Sequence, residues 1–78
     1  MKTIHSEPYQ VLLALLIQAR LDAQLTQQQL ARQLERPQSY VSKYERGERR
    51  LDVIEFLRIC KEMQANPYDL LRQIEPWP

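Results

Sequence analysis

The stretch Thr26–Arg50, TQQQLARQLERPQSYVSKYERGERR, decides the fold. Thr26 is a capping residue placed just before a run in which Leu30, Ala31 and Leu34 share one face at helical spacing. Glu35 and Arg36 leave a connection of only a few residues. Pro37, with its fixed φ, suits the opening of a further helix that runs to Arg46. Gly47, the only glycine in the chain, stops that helix as the residue just past its C-terminus. Two short helices joined by so tight a turn must cross sharply, and Ala31 stands where their close approach needs a small side chain.

The second of these helices has two unlike faces. At about 100° per residue, Gln38, Ser39, Ser42, Lys43 and Arg46 fall in one arc of roughly 140°, with Val41 and Tyr44 opposite. The apolar side is suited to anchoring. The other side holds an amide, hydroxyls and positive charge, which suit base edges and phosphates: glutamine pairs with adenine, lysine and arginine with guanine, and serine with either.

Charge follows the same division. Residues 32–50 carry six Lys/Arg against three Asp/Glu, a local +3, whereas residues 51–78 carry three against five, a local −2. The net charge of +1 hides this separation. A basic region of this size favours an anionic partner.

The flanking sequence supplies three more helices and nothing else. The first begins near Ser6-Glu-Pro and runs to about Ala23, and Asp52 caps a fourth in which Ile54, Leu57 and Cys60 recur against Glu55, Arg58 and Glu62. Asn66-Pro67 opens a short last helix with Tyr68, Leu70, Leu71 and Ile74. β-Branched and aromatic residues are too sparse for a sheet. The expected class is all-α, a compact five-helix domain over 6–74, preceded by a flexible segment 1–5 and followed by a tail 75–78.

Several function classes fall away on residue types. The lone His5 has no carboxylate partner in view, and the single cysteine, Cys60, fits a helix core. No glycine-rich phosphate loop or His/Cys metal spacing occurs, so neither an enzyme nor a cofactor or metal is expected. The longest apolar run, Val11–Ile17 (VLLALLI), is far short of the roughly 18 residues that span a bilayer. With no signal peptide and no disulfide, a soluble cytoplasmic protein is expected.

From about Leu16 to Leu71 the chain resembles the lambda-repressor-like, or XRE (Cro/C1-type), helix-turn-helix family. The resemblance is carried by Thr26-Gln27 opening helix two, Leu30-Ala31 within it, Val41 in the recognition helix, the Tyr44-Glu45-Arg46-Gly47 close, and the following pair of helices with Asn66-Pro67 and Leu70-Leu71. It implies a transcriptional regulator of double-stranded DNA, a repressor occupying an operator through Gln38–Arg46. It also implies roles for residues. Gln38, Ser39, Ser42 and Lys43 would read bases, while Gln27, Tyr40, Arg46, Arg49 and Arg50 would contact phosphate. Gln27 would also brace Gln38, Tyr40 has a half-buried packing role as its alternative, and Arg20 would pair with Glu45. Small members of the family also serve as antitoxins, in which binding a toxin is the main task and DNA binding is autoregulation.

Two departures from the pattern carry consequences. The family turn usually has glycine where this chain has Glu35, so a left-handed or altered turn there costs on the order of 1 kcal/mol. Helix one is also unusually apolar. With Leu12, Leu16 and Ala19 facing the core, Val11, Leu13, Leu15 and Ile17 are left to be covered by the tail, Ile74 to Trp77, or by a second chain. A homodimer on a pseudo-palindromic operator, its recognition helices roughly 34 Å apart, is the expected assembly.

Overall fold

The computed structural model of the chain describes residues 7–75. Five helices follow one another: α1 (Glu7–Asp22), α2 (Gln27–Leu34), α3 (Gln38–Glu45), α4 (Val53–Met63) and α5 (Pro67–Arg72). Among the described residues there is no strand. The expected cap Ser6, the segment 1–5 and the tail residues Pro76, Trp77 and Pro78 lie outside the described residues.

Local chemistry sets most helix starts. Thr26 accepts a hydrogen bond from the Gln29 amide at 3.0 Å, and the Gln29 side-chain oxygen in turn accepts one from the Thr26 amide at 2.9 Å. Asp52 and Glu55 form the same reciprocal box at α4. The Asn66 side chain accepts from the amides of Tyr68 and Asp69, with Pro67 in the first turn. Each arrangement satisfies backbone donors that a helix start leaves without partners.

The helix ends are less expected from sequence. Gly47 is left-handed at φ 78°, but so are Gln24, Glu35 and Gln64, at 61°, 59° and 57°. The chain therefore reverses at three positions without glycine. Each is followed by an amide that reaches back across the helix end: Leu25 to Arg20, Arg36 to Ala31 and Ala65 to Cys60, at 3.2, 2.9 and 2.9 Å. These bonds close the last turn and offset the steric cost of a side chain at positive φ.

The core gathers Leu16 from α1, Leu30, Ala31 and Leu34 from α2, Val41 and Tyr44 from α3, and Phe56, Ile59, Cys60 and Met63 from α4, closed by Leu70. Burial pushes the Cys60 thiol up to about 11, so it stays a neutral packing group at ordinary pH. Two faces differ from expectation. On α1 the buried residues are Leu13 and Leu16, with Leu12, Leu15 and Ala19 only partly covered, so Leu13 belongs to the interior rather than to an uncovered flank. On α4 the inward stripe is Phe56, Ile59, Cys60 and Met63, and it leaves Ile54 72% exposed and Leu57 43% exposed.

Candidate nucleic-acid interface

Helix α3 lies across α2 with Val41 and Tyr44 fully buried beneath it. The opposite side is open: Gln38, Ser39, Lys43 and Arg46 are exposed and Ser42 is half-buried. The Ser42 hydroxyl accepts from the Arg46 guanidinium, which also forms an ion pair with Glu48 at 2.9 Å. Hydrogen bonding from Arg46 lowers the Glu48 carboxyl below its ordinary range. Part of the Arg46 charge is therefore answered within the chain before any anion arrives.

Behind Gln38 runs a continuous line of hydrogen bonds into the interior. The Gln38 amide nitrogen meets the Gln27 side-chain oxygen at 3.5 Å, and Gln27 donates to Glu45 at 2.8 Å. Glu45 pairs with Arg20 through two contacts of 2.7 and 3.3 Å. The remaining arm of Arg20 donates to the Leu25 carbonyl at 2.9 Å. The ion pair is nearly dry, with 12% of the Arg20 side chain and 5% of the Glu45 side chain exposed. Three helices and the α1–α2 turn are thereby tied to one position at the start of α3.

Tyr40 is packed into the fold. Its ring is buried, edge-on to Tyr44 at 5.7 Å between centroids, with the guanidinium groups of Arg36 and Arg49 at 5.0 and 4.9 Å from its centre. Its hydroxyl bonds Glu55, and burial followed by that carboxylate raises its pKa. Packing therefore accounts for the ring.

Arg49 and Arg50 are also engaged within the fold. Arg49 grips both oxygens of Glu55, at 2.8 and 3.0 Å, and donates to the Arg50 carbonyl at 3.1 Å. Arg50 lies over the Tyr9 ring of α1 at 4.3 Å. Neither stands out from the surface as an isolated charge, although both remain beside α3 in the chain. Sequence reasoning missed Glu55 and Arg36 as members of this cluster. Asp52 was visible as a cap, but nothing local indicated that Glu55 closes the capping box and also binds an arginine and a tyrosine.

Glu55 makes this joint sensitive to acid. Hydrogen bonding from Arg49, then from the Asp52 amide, holds its carboxyl at about 2. A carboxylate depressed on folding stabilises fully above its unfolded value of about 4.3, and that contribution is lost as pH falls through the folded value. Urea midpoints of wild type and Glu55→Gln should therefore differ most near about pH 6 and converge toward about pH 2. A gap that stays constant across that range would mean that another group titrates.

A groove of about 570 Å³ is lined by Asp22, Glu62 and Asp69 over Ala19, Met63 and Leu70, with no lysine or arginine among its walls. Two of these carboxylates are paired outside the groove, Glu62 with Arg58 and Asp69 with Arg72. Among the described residues no cluster suits a metal ion, and no helix is long and apolar enough to cross a membrane.

The same region of the chain is matched in known proteins. A family model described as a helix-turn-helix matches residues 16–70. Among solved structures, an XRE-family like protein from Pseudomonas syringae pv. tomato str. DC3000 is 54% identical over 92% of this chain and 88% of that one, with a TM-score of 0.86. A search of curated proteins returns no match.

Proposed function

The chain belongs to the XRE-type helix-turn-helix family, and we propose that it is a sequence-specific regulator that represses transcription by occupying a double-stranded DNA operator from the cytoplasm. The observation that carries this reading is the open face of α3, where Gln38 is held by Gln27 beside exposed Ser39 and Lys43. A side chain whose positions are limited by a neighbour loses less entropy when it binds. Gln38, Ser39, Ser42 and Lys43 read bases in this proposal. Gln27 and Arg46 reach phosphate, and Arg49 and Arg50 flank the groove from positions fixed by Glu55 and Tyr9.

Selection of bound sequences from a random duplex pool tests the reading and returns the operator. Gln38→Ala should then cost about 1 to 3 kcal/mol on the preferred site and relax preference at one base pair. Equal weakening of every sequence would remove Gln38 from the base readers.

The homodimer is proposed on a changed footing, because Leu13 is covered within the chain. Its support is now the apolar surface left open on α4, at Val53, Ile54 and Leu57, and on α5, at Tyr68 and Leu71. Exposed apolar patches mark association surfaces. Sedimentation should give a dimer at tens of micromolar or on a palindromic duplex, weakened by Ile54→Glu or by Leu71→Glu according to which face is used. A monomer that binds a half-site as well as a palindrome would end the dimer reading. It would also leave the same surface for a partner protein, as an antitoxin requires.

A further inference from the structure

We propose that Glu45, a buried residue on the inner side of α3, sets the base preference of Gln38 by fixing the polarity of the amides between them. The inference rests on the base-reading role proposed above for Gln38 and adds a specificity-determining residue that touches no base.

The argument follows from what each group is able to donate or accept. An ionised carboxylate only accepts. Arg20 holds both Glu45 oxygens, and its bond to the Leu25 carbonyl keeps the guanidinium from turning away. Toward α2, the carboxylate therefore demands a donor, and the Gln27 amide nitrogen supplies it at 2.8 Å. An amide whose nitrogen faces Glu45 must turn its oxygen to the other side. That oxygen only accepts, so Gln38 meets it with nitrogen, at 3.5 Å.

The outer edge of Gln38 is left with one N–H and its oxygen in a single fixed order. Adenine complements such a pair with its N7 acceptor and N6 amino donor, whereas guanine offers two acceptors, N7 and O6. If the two ends of the Gln38 amide exchange places, a base that fitted the first order meets a donor with a donor. Rotation of an isolated glutamine would allow both orders. The chain from Glu45 permits one.

Glu45→Gln reverses the chain with almost no change of shape. Arg20 keeps the new amide oxygen, so the amide nitrogen faces Gln27, Gln27 turns its oxygen inward, and Gln38 must accept rather than donate. Gln27→Leu cuts the chain instead and leaves Gln38 able to take either order.

Selections from a random duplex pool with wild type, Gln38→Ala, Glu45→Gln and Gln27→Leu decide the matter, run at a temperature where circular dichroism shows each variant folded. Gln38→Ala locates the base pair that Gln38 reads. At that pair, Glu45→Gln is expected to reduce the wild-type base preference at least about fivefold or to move it to another base, with preferences elsewhere in the site retained. Gln27→Leu is expected to relax the same pair and is the deciding variant if Glu45→Gln does not fold. Wild-type preference retained at that pair in the folded variants, whether or not affinity falls for all sequences alike, overturns the proposal while leaving Gln38 a base reader. A wild type that selects no sequence overturns the base-reading role and this inference together. Without DNA, the side-chain amide protons of Gln27 are expected to exchange with solvent more slowly than those of exposed Gln28, and equal rates would show that the chain is not held.

Discussion

Glu45→Ala is expected to lower the unfolding free energy by about 3 kcal/mol or more. The reason lies in what remains after the carboxylate is removed. Arg20 keeps its charge in a site where only 12% of its side chain reaches solvent, and it retains only the Leu25 carbonyl as partner. The Gln27 amide also loses its acceptor. A charge stranded in a dry site costs far more than the pair itself contributes, so the double variant Arg20→Ala, Glu45→Ala should be less damaged than the sum of the two single ones. Urea unfolding of all four proteins measures that coupling. A coupling near zero would give the pair the small value of a solvated surface bridge and would leave the line behind Gln38 without a rigid base. For a small domain, whose total stability is of the order of 5 kcal/mol, the predicted loss leaves about 2 kcal/mol and raises the unfolded fraction to a few per cent at ordinary temperature.

The parts of the fold that were legible in the sequence are those set by neighbouring residues. Thr26, Asp52 and Asn66-Pro67 start helices through bonds to amides two or three positions on, and Gly47 ends one by its own freedom at positive φ. The open face of α3 was legible because polar and apolar residues alternate there with a clear phase. Helix α1 offers no such phase. Val11–Ile17 is apolar throughout, so several faces are equally greasy and only packing against α3 and α5 selects the one that buries Leu13 and Leu16. Helix α4 carries two overlapping apolar stripes, one through Ile54 and Leu57 and one through Phe56, Ile59 and Met63, and tertiary contact chooses the second.

The intrachain partners of the arginines after α3 were illegible for a different reason. Whether Arg49 and Arg50 extend to an anion or fold back depends on Tyr40, Glu55 and Tyr9, of which Tyr9 lies about forty positions away in the chain. Spacing within a motif carries no information about such partners. The left-handed residues Gln24, Glu35 and Gln64 show the same limit, since their closing bonds make good a conformation that residue type alone disfavours.

Leu30→Ala should cost about 2 to 5 kcal/mol, through a cavity rather than a stranded charge. Leu30 is fully buried in α2, the helix that packs on both α3 and α4, so its methyl groups lie where the two halves of the helix-turn-helix and the rest of the core meet. Ile54→Ala, by contrast, removes atoms that are mostly in water already and should change stability by no more than about 0.5 kcal/mol. The two substitutions together test whether the inward stripe of α4 has been assigned correctly. Operator DNA adds a second distinction, because a ligand that binds only the folded chain stabilises it by about 2.7 kcal/mol at a hundredfold excess over its dissociation constant. Leu30→Ala should therefore regain most of its lost thermal midpoint on adding operator and should select the wild-type sequence with reduced apparent affinity, because its α3 face is intact. Gln38→Ala should keep its midpoint and change its sequence. A Leu30→Ala protein that loses less than about 1 kcal/mol in urea would show that α2 is not anchored in the core through this side chain.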